Sequence, residues 1–351
     1  MPHFGDGVFQ YGGQPVGVSV SGQPRKCYFV DGRNGQPGAP GDRWNRAVDT
    51  IQAGVDLANI MQNRRIDTDL YIASGYYDEE VVVNHSNQGI TYSWMITDHS
   101  ATTHWGAEVG RLRLIGTGLV FIRGGVHGQT NQASTPTLSI CRPNVDVWNI
   151  HARASTQLNA AGAWTSGDGS EGHAHVGLPA IMVQKNNNLT VGSLDGGNAS
   201  YVRFFNCRGD GGDPHEGAWV RCGILIAGAD HVQAWNCAFE SCTYNVAIIG
   251  TSMGKSIGTQ LHNCRFQNPG TADVYVGGDD HTQLIDCHWM SAGAEGTKLI
   301  DCAAAGASIG CAVIGGSMNL DSFTYTAAPV GWDAVGVKYT GGISGDAAMD
   351  Q

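Results

Sequence analysis

Short stretches in which apolar and polar residues alternate recur through the middle of the chain, separated by Gly-rich polar bends. Four stretches share a finer pattern, with Asn or Asp directly before a cysteine: Asn206–Cys207, Asn236–Cys237, Asn263–Cys264 and Asp286–Cys287. In the last three, an aromatic residue follows two positions after the cysteine. Successive cysteines are 30, 27 and 23 residues apart (207, 237, 264, 287), a period typical of repeat architectures.

A second short strand is predicted in each interval: Gly223–Ile226, Asn245–Gly250, Asp273–Gly277 and Lys298–Ile300. Each coil therefore has two or three strands, and alternation sends one set of side chains inward and the other outward. Stacking coils at the ~4.8 Å spacing of paired strands places equivalent residues in columns. The pattern predicts an all-β chain whose main part is a right-handed parallel β-helix.

The repeat also predicts which residues share a column. We expect the four cysteines to form one buried column of unbonded thiols, because in-register strands hold their Cβ atoms too far apart for a disulfide. An earlier coil is predicted at Val147–His151, where Ile150 replaces the cysteine, and Cys311, 24 residues after Cys287, is assigned the matching place in the next coil. An asparagine ladder is predicted one position before the cysteines: Asn206, Asn236 and Asn263.

Helical spacing of apolar residues occurs near the start of the chain, from about Trp44 to Asn63. The residues on the predicted face are Ala47, Val48, Ile51, Val55, Ala58 and Met61. Asp42 is the expected N-cap. We expect this helix to plug the open end of the solenoid, where exposed strands would otherwise pair with another molecule.

The first predicted coils resemble a known superfamily. Asp69–Tyr77, the strand that follows it at Glu80–Val83, and Leu112–Gly118 are similar to the opening turns of the pectin-lyase-like right-handed β-helices. The resemblance extends from about residue 28 to 320. It implies the fold, and it implies either an enzyme acting on acidic polysaccharides or a surface protein of bacteriophage particles, which is often a trimer anchored by an N-terminal segment.

The chain divides into four predicted regions: an extended N-terminal anchoring arm (1–27), a cap with an amphipathic helix (28–66), the coils (67–320) and a C-terminal closing segment (321–351). Phe4, Phe9 and Tyr11 in the arm are expected to contact a partner chain. The segment 154–179 is rich in Gly, Ala, Ser and His, and is predicted to be a long loop that leaves the solenoid.

Charge and composition narrow the function classes. Lys and Arg total 20 against 31 Asp and Glu, so the formal net charge is −11, which argues against a nucleic-acid partner. Continuous apolar segments of 18 or more residues are absent, so a membrane partner is not expected. The first residues lack the basic and apolar regions of a secretory signal, which predicts synthesis in a cytoplasm without export by that route.

Glycoside hydrolysis requires two carboxylates that face one sugar, and Asp279 with Asp280 are the best candidates. They resemble the Gly-x-Asp-Asp segment of polygalacturonases, but the Gly-His-Gly and Arg-x-Lys motifs of those enzymes do not follow. A solvated turn is the favoured interpretation. The few lysines lie away from acidic clusters in the sequence. Trp148, Trp219 and Trp235 could stack on sugars, although inward packing is favoured for each.

Two acidic clusters could bind a metal ion. Asp210, Asp213 and Glu216, with His215 between them, carry oxygen ligands that could hold calcium, but a loop bend explains them as well. Asp168, Glu171, His173 and His175 lie in the long loop without a firmly spaced ligand set. We expect no cofactor and no metal.

Two hypotheses follow. The first is a non-catalytic structural protein on a bacteriophage virion surface, a capsid decoration or spike protein, assembled as a homotrimer and contacting a capsid or tail protein through its arm. The second is a polysaccharide lyase or hydrolase, such as a tailspike depolymerase, acting on a bacterial surface glycan. The incomplete catalytic set favours the first.

Overall fold

The structure is a computed structural model in which the chain forms a parallel β-helix, as predicted. It describes residues 8–11, 14–18, 24–59, 66–83, 110–124, 136–153, 179–186, 197–211, 222–250, 254–277, 279–290, 298–302, 310–319, 332–336 and 338–340. Several predicted features lie outside these residues, namely Phe4, Met61, Asp213, Glu216, Trp219 and nearly all of the 154–179 loop.

The largest sheet, here called the front sheet, has nineteen strands and contains the first and second strands of the coils. Two long strands, Leu112–Arg123 and Val145–Arg153, span both positions. The other first strands are Pro24–Val30, Asp67–Ile72, Arg203–Phe205, Gln233–Trp235, Gln260–His262, Gln283–Ile285, Cys311–Ile314 and Trp332–Val335. The other second strands are Gly75–Tyr77, Arg208–Asp210, Ala238–Glu240, Arg265–Gln267, His288–Trp289, Ser317–Asn319 and Lys338–Thr340.

The third strands form an eight-stranded back sheet. Its parallel strands are Val81–Val83, Leu138–Ile140, Ile181–Asn186, Cys222–Ala227, Tyr244–Ile249, Ala272–Gly277 and Lys298–Cys302. Gly197–Asn198 pairs antiparallel with Ile181–Asn186. A separate two-stranded sheet joins Ser256–Ile257 to Asp279–Asp280.

The core lies between the two sheets, where inward residues of successive coils stack in columns. Ile224 pairs in register with Val246, and Val246 pairs with Val274; all three are fully buried. The outward residues Leu225 and Ala247 are also fully buried. Both faces of the back sheet are therefore covered, which explains the unbroken apolar runs of its strands.

The cysteine column is confirmed. Cys207, Cys237, Cys264 and Cys287 are buried free thiols at equivalent positions, and each donates to the backbone carbonyl two residues before it in the chain. Burial raises the pKa of Cys237 well above its ordinary value, so this thiol is neutral. In the coil before Cys207, Ile150 takes the position of the cysteine, as predicted.

The assignment of Cys311 to this column is wrong. Ala312 pairs with Gln283, so Cys311 is level with Thr282 and lies at an earlier inward position. Ile314 pairs with Ile285 and Ser317 with His288, which places Gly316 beside Cys287. The equivalent position lies 29 residues after Cys287 (287, 316), and the cysteine stands five residues before it (311, 316).

The bend between first and second strands explains the residue before each cysteine. Asn149, Asn206, Asn236, Asn263 and Asp286 all have φ between 48° and 55°, in the left-handed region that Asn, Asp and Gly tolerate best. Asn263 Nδ2 donates to Asn236 Oδ1 at 2.7 Å, and Asn206 Nδ2 donates to Asn149 Oδ1 at 3.3 Å. The first bond is one rung of the predicted ladder, and the second joins Asn206 to the coil before it.

The predicted arm is part of the front sheet. Val8–Tyr11 pairs antiparallel with Gln14–Val18, which in turn pairs antiparallel with the start of Pro24–Val30. Phe9 and Tyr11 therefore lie in a β-hairpin of the chain's own sheet, and the predicted boundary at residue 27 falls inside a strand. Contact with another chain stays a prediction.

The helix of the cap begins later than predicted. A 3-10 turn occupies Trp44–Arg46, and the α-helix α1 begins only at Ile51 and ends at Asn59. Asp42 is not its N-cap, because the Asp42 carboxylate pairs with Arg43 and Arg46 instead. The predicted face is nevertheless buried: Ala47, Val48, Ile51, Val55 and Ala58 are each at most 2% exposed.

Two other groups cap α1. Thr50 Oγ1 accepts a hydrogen bond from the Ala53 N–H at 3.2 Å. The Glu79 carboxylate accepts hydrogen bonds from the Ile51 and Gln52 N–H groups at 2.8 and 3.0 Å. Burial of this carboxylate raises the pKa of Glu79.

The side chain of Gln52 covers the edge of the back sheet. Its Oε1 accepts from the Val82 N–H at 2.7 Å, and its Nε2 donates to the Val82 carbonyl at 3.3 Å. One amide therefore satisfies both backbone groups that Val81–Val83, the last strand of that sheet, offers at its centre.

At the other end, the coils continue past the predicted boundary at residue 320. Trp332–Val335 and Lys338–Thr340 pair parallel with the preceding first and second strands. Gly336, which has φ +68°, follows the first of these two strands.

Candidate functional site on the outer surface of the first strands

The outer surface of the first strands, here called the first face, carries two columns of side chains that follow from the register. The polar column contains Asp69, Arg113, Asp146, Arg203, Gln233, Gln260 and Gln283. The ring column lies two residues further along each strand and contains Tyr71, Ile115, Trp148, Phe205, Trp235, His262 and Ile285.

Charges alternate in sign through the first half of the polar column. Arg113 forms two bonds to the Asp69 carboxylate, Nε–Oδ1 and Nη2–Oδ2, both at 2.6 Å. Arg203 binds Asp146 in the same two-pronged way at 2.8 and 2.7 Å, and Arg111 Nη1 adds a third bond to Asp146 at 2.6 Å. The bonds to Asp146 raise the pKa of Arg203.

The same column continues with neutral amides. Gln233 Nε2 donates to Gln260 Oε1 at 2.7 Å, and Gln260 Nε2 donates to Gln283 Oε1 at 3.1 Å. Side-chain bonds thus join neighbouring coils at four steps of this column: 69–113, 146–203, 233–260 and 260–283. The polar column ties neighbouring coils together.

Aromatic rings stack on one another in the ring column. The centroids of Trp148 and Phe205 are 3.9 Å apart, those of Phe205 and Trp235 are 4.8 Å apart, and those of Trp235 and His262 are 5.3 Å apart. Interplanar angles of 17°, 5° and 9° make this a near-parallel stack. Trp148 and Trp235 thus point outward, and the inward packing favoured from the sequence is wrong.

The stack limits what these rings can bind. A sugar stacks on the flat face of an aromatic ring, but the faces of Phe205 and Trp235 are covered by their neighbours in the column. The rings offer mainly their edges to solvent. Their geometry favours cohesion between coils over sugar stacking.

The candidate carboxylates Asp279 and Asp280 form a short strand, where a solvated turn was predicted. The Lys255 Nζ lies 3.0 Å from Asp280 Oδ1, and Lys185 Nζ lies 2.7 Å from Asp230 Oδ2. These partners come from other segments of the chain, so sequence proximity did not show them.

The calcium hypothesis rests mostly on residues outside the described ranges. Asp210 lies on a second strand, with its Oδ2 3.7 Å from His151 Nε2. Among the residues that the structure describes, no group of three or more His, Cys, Asp or Glu side chains could hold a metal ion. None of the helices in the same part of the chain is long and apolar enough to cross a membrane.

The polar column was missed by the sequence analysis. Its members are separated by 44, 33 and 57 positions (69, 113, 146, 203), and no motif joins them. Each member of the polar column lies two residues before a member of the ring column. This spacing could have identified the column, but only with the register between coils, which differ in length.

Comparison with known proteins finds solved structures of limited similarity and assigns no function to this chain. No family model matches the sequence, and no curated protein sequence does. Solved structures with similar folds include the rice weevil pectin methyl esterase, at 10% identity and a TM-score of 0.48, covering 84% of this chain and 87% of that chain. The Aspergillus niger pectin methylesterase shares 15% identity at a TM-score of 0.40, covering 92% and 91%.

A viral protein is also similar. The ORF18 protein of Geobacillus virus E2 shares 11% identity at a TM-score of 0.38, covering 83% of this chain and 56% of that chain. At these levels neither the enzymes nor the viral protein assigns an activity.

Proposed function

We propose that this chain is a non-catalytic structural protein of a bacteriophage virion surface, a capsid decoration or spike protein that reinforces the particle or attaches it to a host. In this proposal the protein assembles as a homotrimer and contacts a capsid or tail protein through its N-terminal region.

The pairing of Asp146 with Arg111 and Arg203 carries the non-catalytic part of the proposal. Asp146 is 1% exposed and is held by three charge-assisted bonds. A general acid or base must reach its substrate, whereas Arg111 and Arg203 close the Asp146 carboxylate off from solvent. Asp146 therefore serves as a cross-link between coils.

The first face supports a mechanical role. Ion pairs, glutamine amides and stacked rings each join one coil to the next along the solenoid axis. A solenoid has contacts only between neighbouring repeats, so its resistance to unfolding and proteolysis depends on how firmly each repeat holds the next. Durability of this kind suits a protein on the outside of a particle.

An activity assay separates this proposal from the depolymerase hypothesis. Purified protein is incubated with acidic and neutral bacterial polysaccharides, and product size is followed for the wild type and for Asp280→Asn. We expect no size change with either protein. Cleavage by the wild type that disappears in Asp280→Asn would establish an enzyme and refute the proposal.

A further inference from the structure

Three polar side chains from successive coils meet on the outer surface of the second strands, in the C-terminal half of the solenoid. His288 and Ser317 pair in register on neighbouring second strands, and both are half-buried. Asn263 is exposed at the left-handed bend of the coil before His288. The three residues are 25 and 29 positions apart in the chain (263, 288, 317), so only the register of the coils brings them together.

The asparagine ladder fixes the orientation of the Asn263 amide. Asn263 Nδ2 donates to Asn236 Oδ1 at 2.7 Å, which leaves Asn263 Oδ1 for the following coil. His288 Nε2 lies 3.2 Å from this oxygen. Because an amide oxygen can only accept a hydrogen bond, His288 must carry a proton on Nε2 and donate it to Asn263.

This tautomer leaves the other ring nitrogen of His288 as an acceptor. Ser317 Oγ lies 2.9 Å from His288 Nδ1, so the serine hydroxyl donates its hydrogen bond to the imidazole. The bonds form one directed chain from Ser317 through His288 to Asn263. A hydroxyl that donates to a base, with the base oriented by a third group, is the arrangement that activates a serine as a nucleophile.

The backbone around Ser317 limits which reactions this nucleophile can perform. The Ser317 N–H donates to the Cys287 carbonyl at 3.0 Å, and the Gly315 N–H donates to the Val335 carbonyl at 2.7 Å. These two N–H groups are therefore occupied and do not form an oxyanion hole, which is usually a large part of the rate of acyl transfer. Acyl donors with a good leaving group should still react. The resulting serine ester has a poor leaving group and should persist.

We propose that Ser317 is a covalent modification site that takes one acyl group from an activated ester or thioester. In this step the Ser317 oxygen bonds to the acyl carbon, and the bond from that carbon to the leaving alcohol or thiol breaks. His288 Nδ1 accepts the hydroxyl proton and passes it to the leaving group. The product is a stable acyl-serine. This modification goes beyond the proposed function and does not depend on it.

Labelling of the full chain with p-nitrophenyl acetate provides the test. We expect one acetyl group on Ser317, located by peptide mass spectrometry, and a release of p-nitrophenolate that stops when this serine is occupied. Alkaline hydroxylamine removes an acetyl group from a serine ester but not from a lysine amide, so it separates the expected product from background labelling. An alkyl fluorophosphonate, which labels activated serines with loss of fluoride, should modify the same residue.

Variants of the nucleophile and the base locate the site. Ser317→Ala should abolish the hydroxylamine-sensitive label. His288→Gln keeps a hydrogen-bond donor and acceptor but cannot serve as a base, and it should slow labelling about a hundredfold or more. Ser241→Ala is the matched control and should label as the wild type does, because Ser241 is another half-buried serine, located at a left-handed bend.

Asn263 is a positioning residue in this proposal. Asn263→Gly keeps the bend, where φ is 48°, but removes the acceptor for His288. This variant should slow labelling about tenfold, the effect of one hydrogen bond. Asn263→Asp supplies an acceptor again and should restore most of the rate, which a merely structural role of the side chain would not predict. Thermal melts confirm that each variant is folded.

The proposal is overturned if Ser317 stays unlabelled, if Ser241 is labelled to the same extent, or if folded His288→Gln reacts as fast as the wild type. Release of p-nitrophenolate that continues after Ser317 is occupied would show hydrolysis, and it would overturn the claim of a stable acyl-serine. The composition of virions is measured separately and is not affected by an unlabelled Ser317.

Discussion

Arg203, in the coil after Asp146, donates two hydrogen bonds to the Asp146 carboxylate, at 2.8 and 2.7 Å. Arg111, in the coil before it, donates a third to the same carboxylate at 2.6 Å. The carboxylate is nearly inaccessible to solvent, but the two arginine side chains are 36% and 31% exposed. The cluster is therefore asymmetric, since only the anion depends wholly on its partners.

This asymmetry predicts which substitution is worse. The double variant Arg111→Gln/Arg203→Gln leaves the Asp146 carboxylate buried without these partners and should lower the free energy of unfolding by about 3–5 kcal/mol. Asp146→Asn should cost clearly less, because both arginines can turn to water. Chemical denaturation of the two variants measures the difference, and equal losses would contradict the proposed role of the pair.

A charge in the core should be far more damaging than a charge on the surface. Ile248 is fully buried in the back sheet, whereas Ile257 is 41% exposed. Ile248→Asp should prevent stable folding, because an unpaired buried carboxylate costs several kcal/mol. Ile257→Asp should change stability by no more than about 0.5 kcal/mol. Circular dichroism melts compare the two, and a folded Ile248→Asp protein would show that the register is wrong.

Gly316 should tolerate no side chain. It has φ +86°, and an added Cβ would lie 2.1 Å from the Cys287 carbonyl oxygen. Gly336 has a similar φ of +68°, but its Cβ would meet nothing within 4 Å. Gly316→Ala should therefore lower the melting temperature well beyond Gly336→Ala, which shows the backbone strain alone. Similar melting temperatures would mean that the close approach is absent.

Stability should also depend on the ionisation of Glu80. Burial raises the pKa of Glu80 from 4.5 to about 7. The folded state then binds this proton more tightly than the unfolded state, so the contribution of Glu80 to stability falls as pH rises from about 4.5 to 7. Glu80→Gln should raise the melting temperature at pH 8 and have a smaller effect at pH 5.

Asp31 is the matched control for this pH experiment. Its pKa is lowered by hydrogen bonds from Asn34 and Arg33, so the sign is opposite. Asp31→Asn should give no gain at pH 8. A gain for Glu80→Gln that is equally large at both pH values would rule out ionisation as its cause.

The sequence revealed the fold wherever a local conformational requirement repeats. The left-handed bend at Asn206, Asn236 and Asn263 tolerates few residue types, so the residue before each cysteine marks the coil. Cys311 misled the assignment, because a small apolar residue is suited to more than one inward position. Gly316 occupies the position in the cysteine column that was assigned to Cys311, and a glycine gives no sign of that position in the sequence.

The sites were less predictable than the fold. Arg203 and Asp146 are 57 positions apart, and Lys255 and Asp280 are 25 apart, in coils of unequal length. Outward columns have no strict residue requirement, so their members emerge only once the register is known. The cap shows the same limit, since Glu79 caps α1 from a different segment of the chain.

The composition of assembled particles tests the central claim most directly. In the proposed setting, bacteriophage particles are purified through two density gradients from a culture that produces this chain, and their proteins are quantified by mass spectrometry against the major capsid protein. We expect this chain at a fixed, symmetry-compatible ratio that survives high-salt washing. If the chain is absent from infectious particles, or is recovered only as free protein, it is not a structural component of the virion.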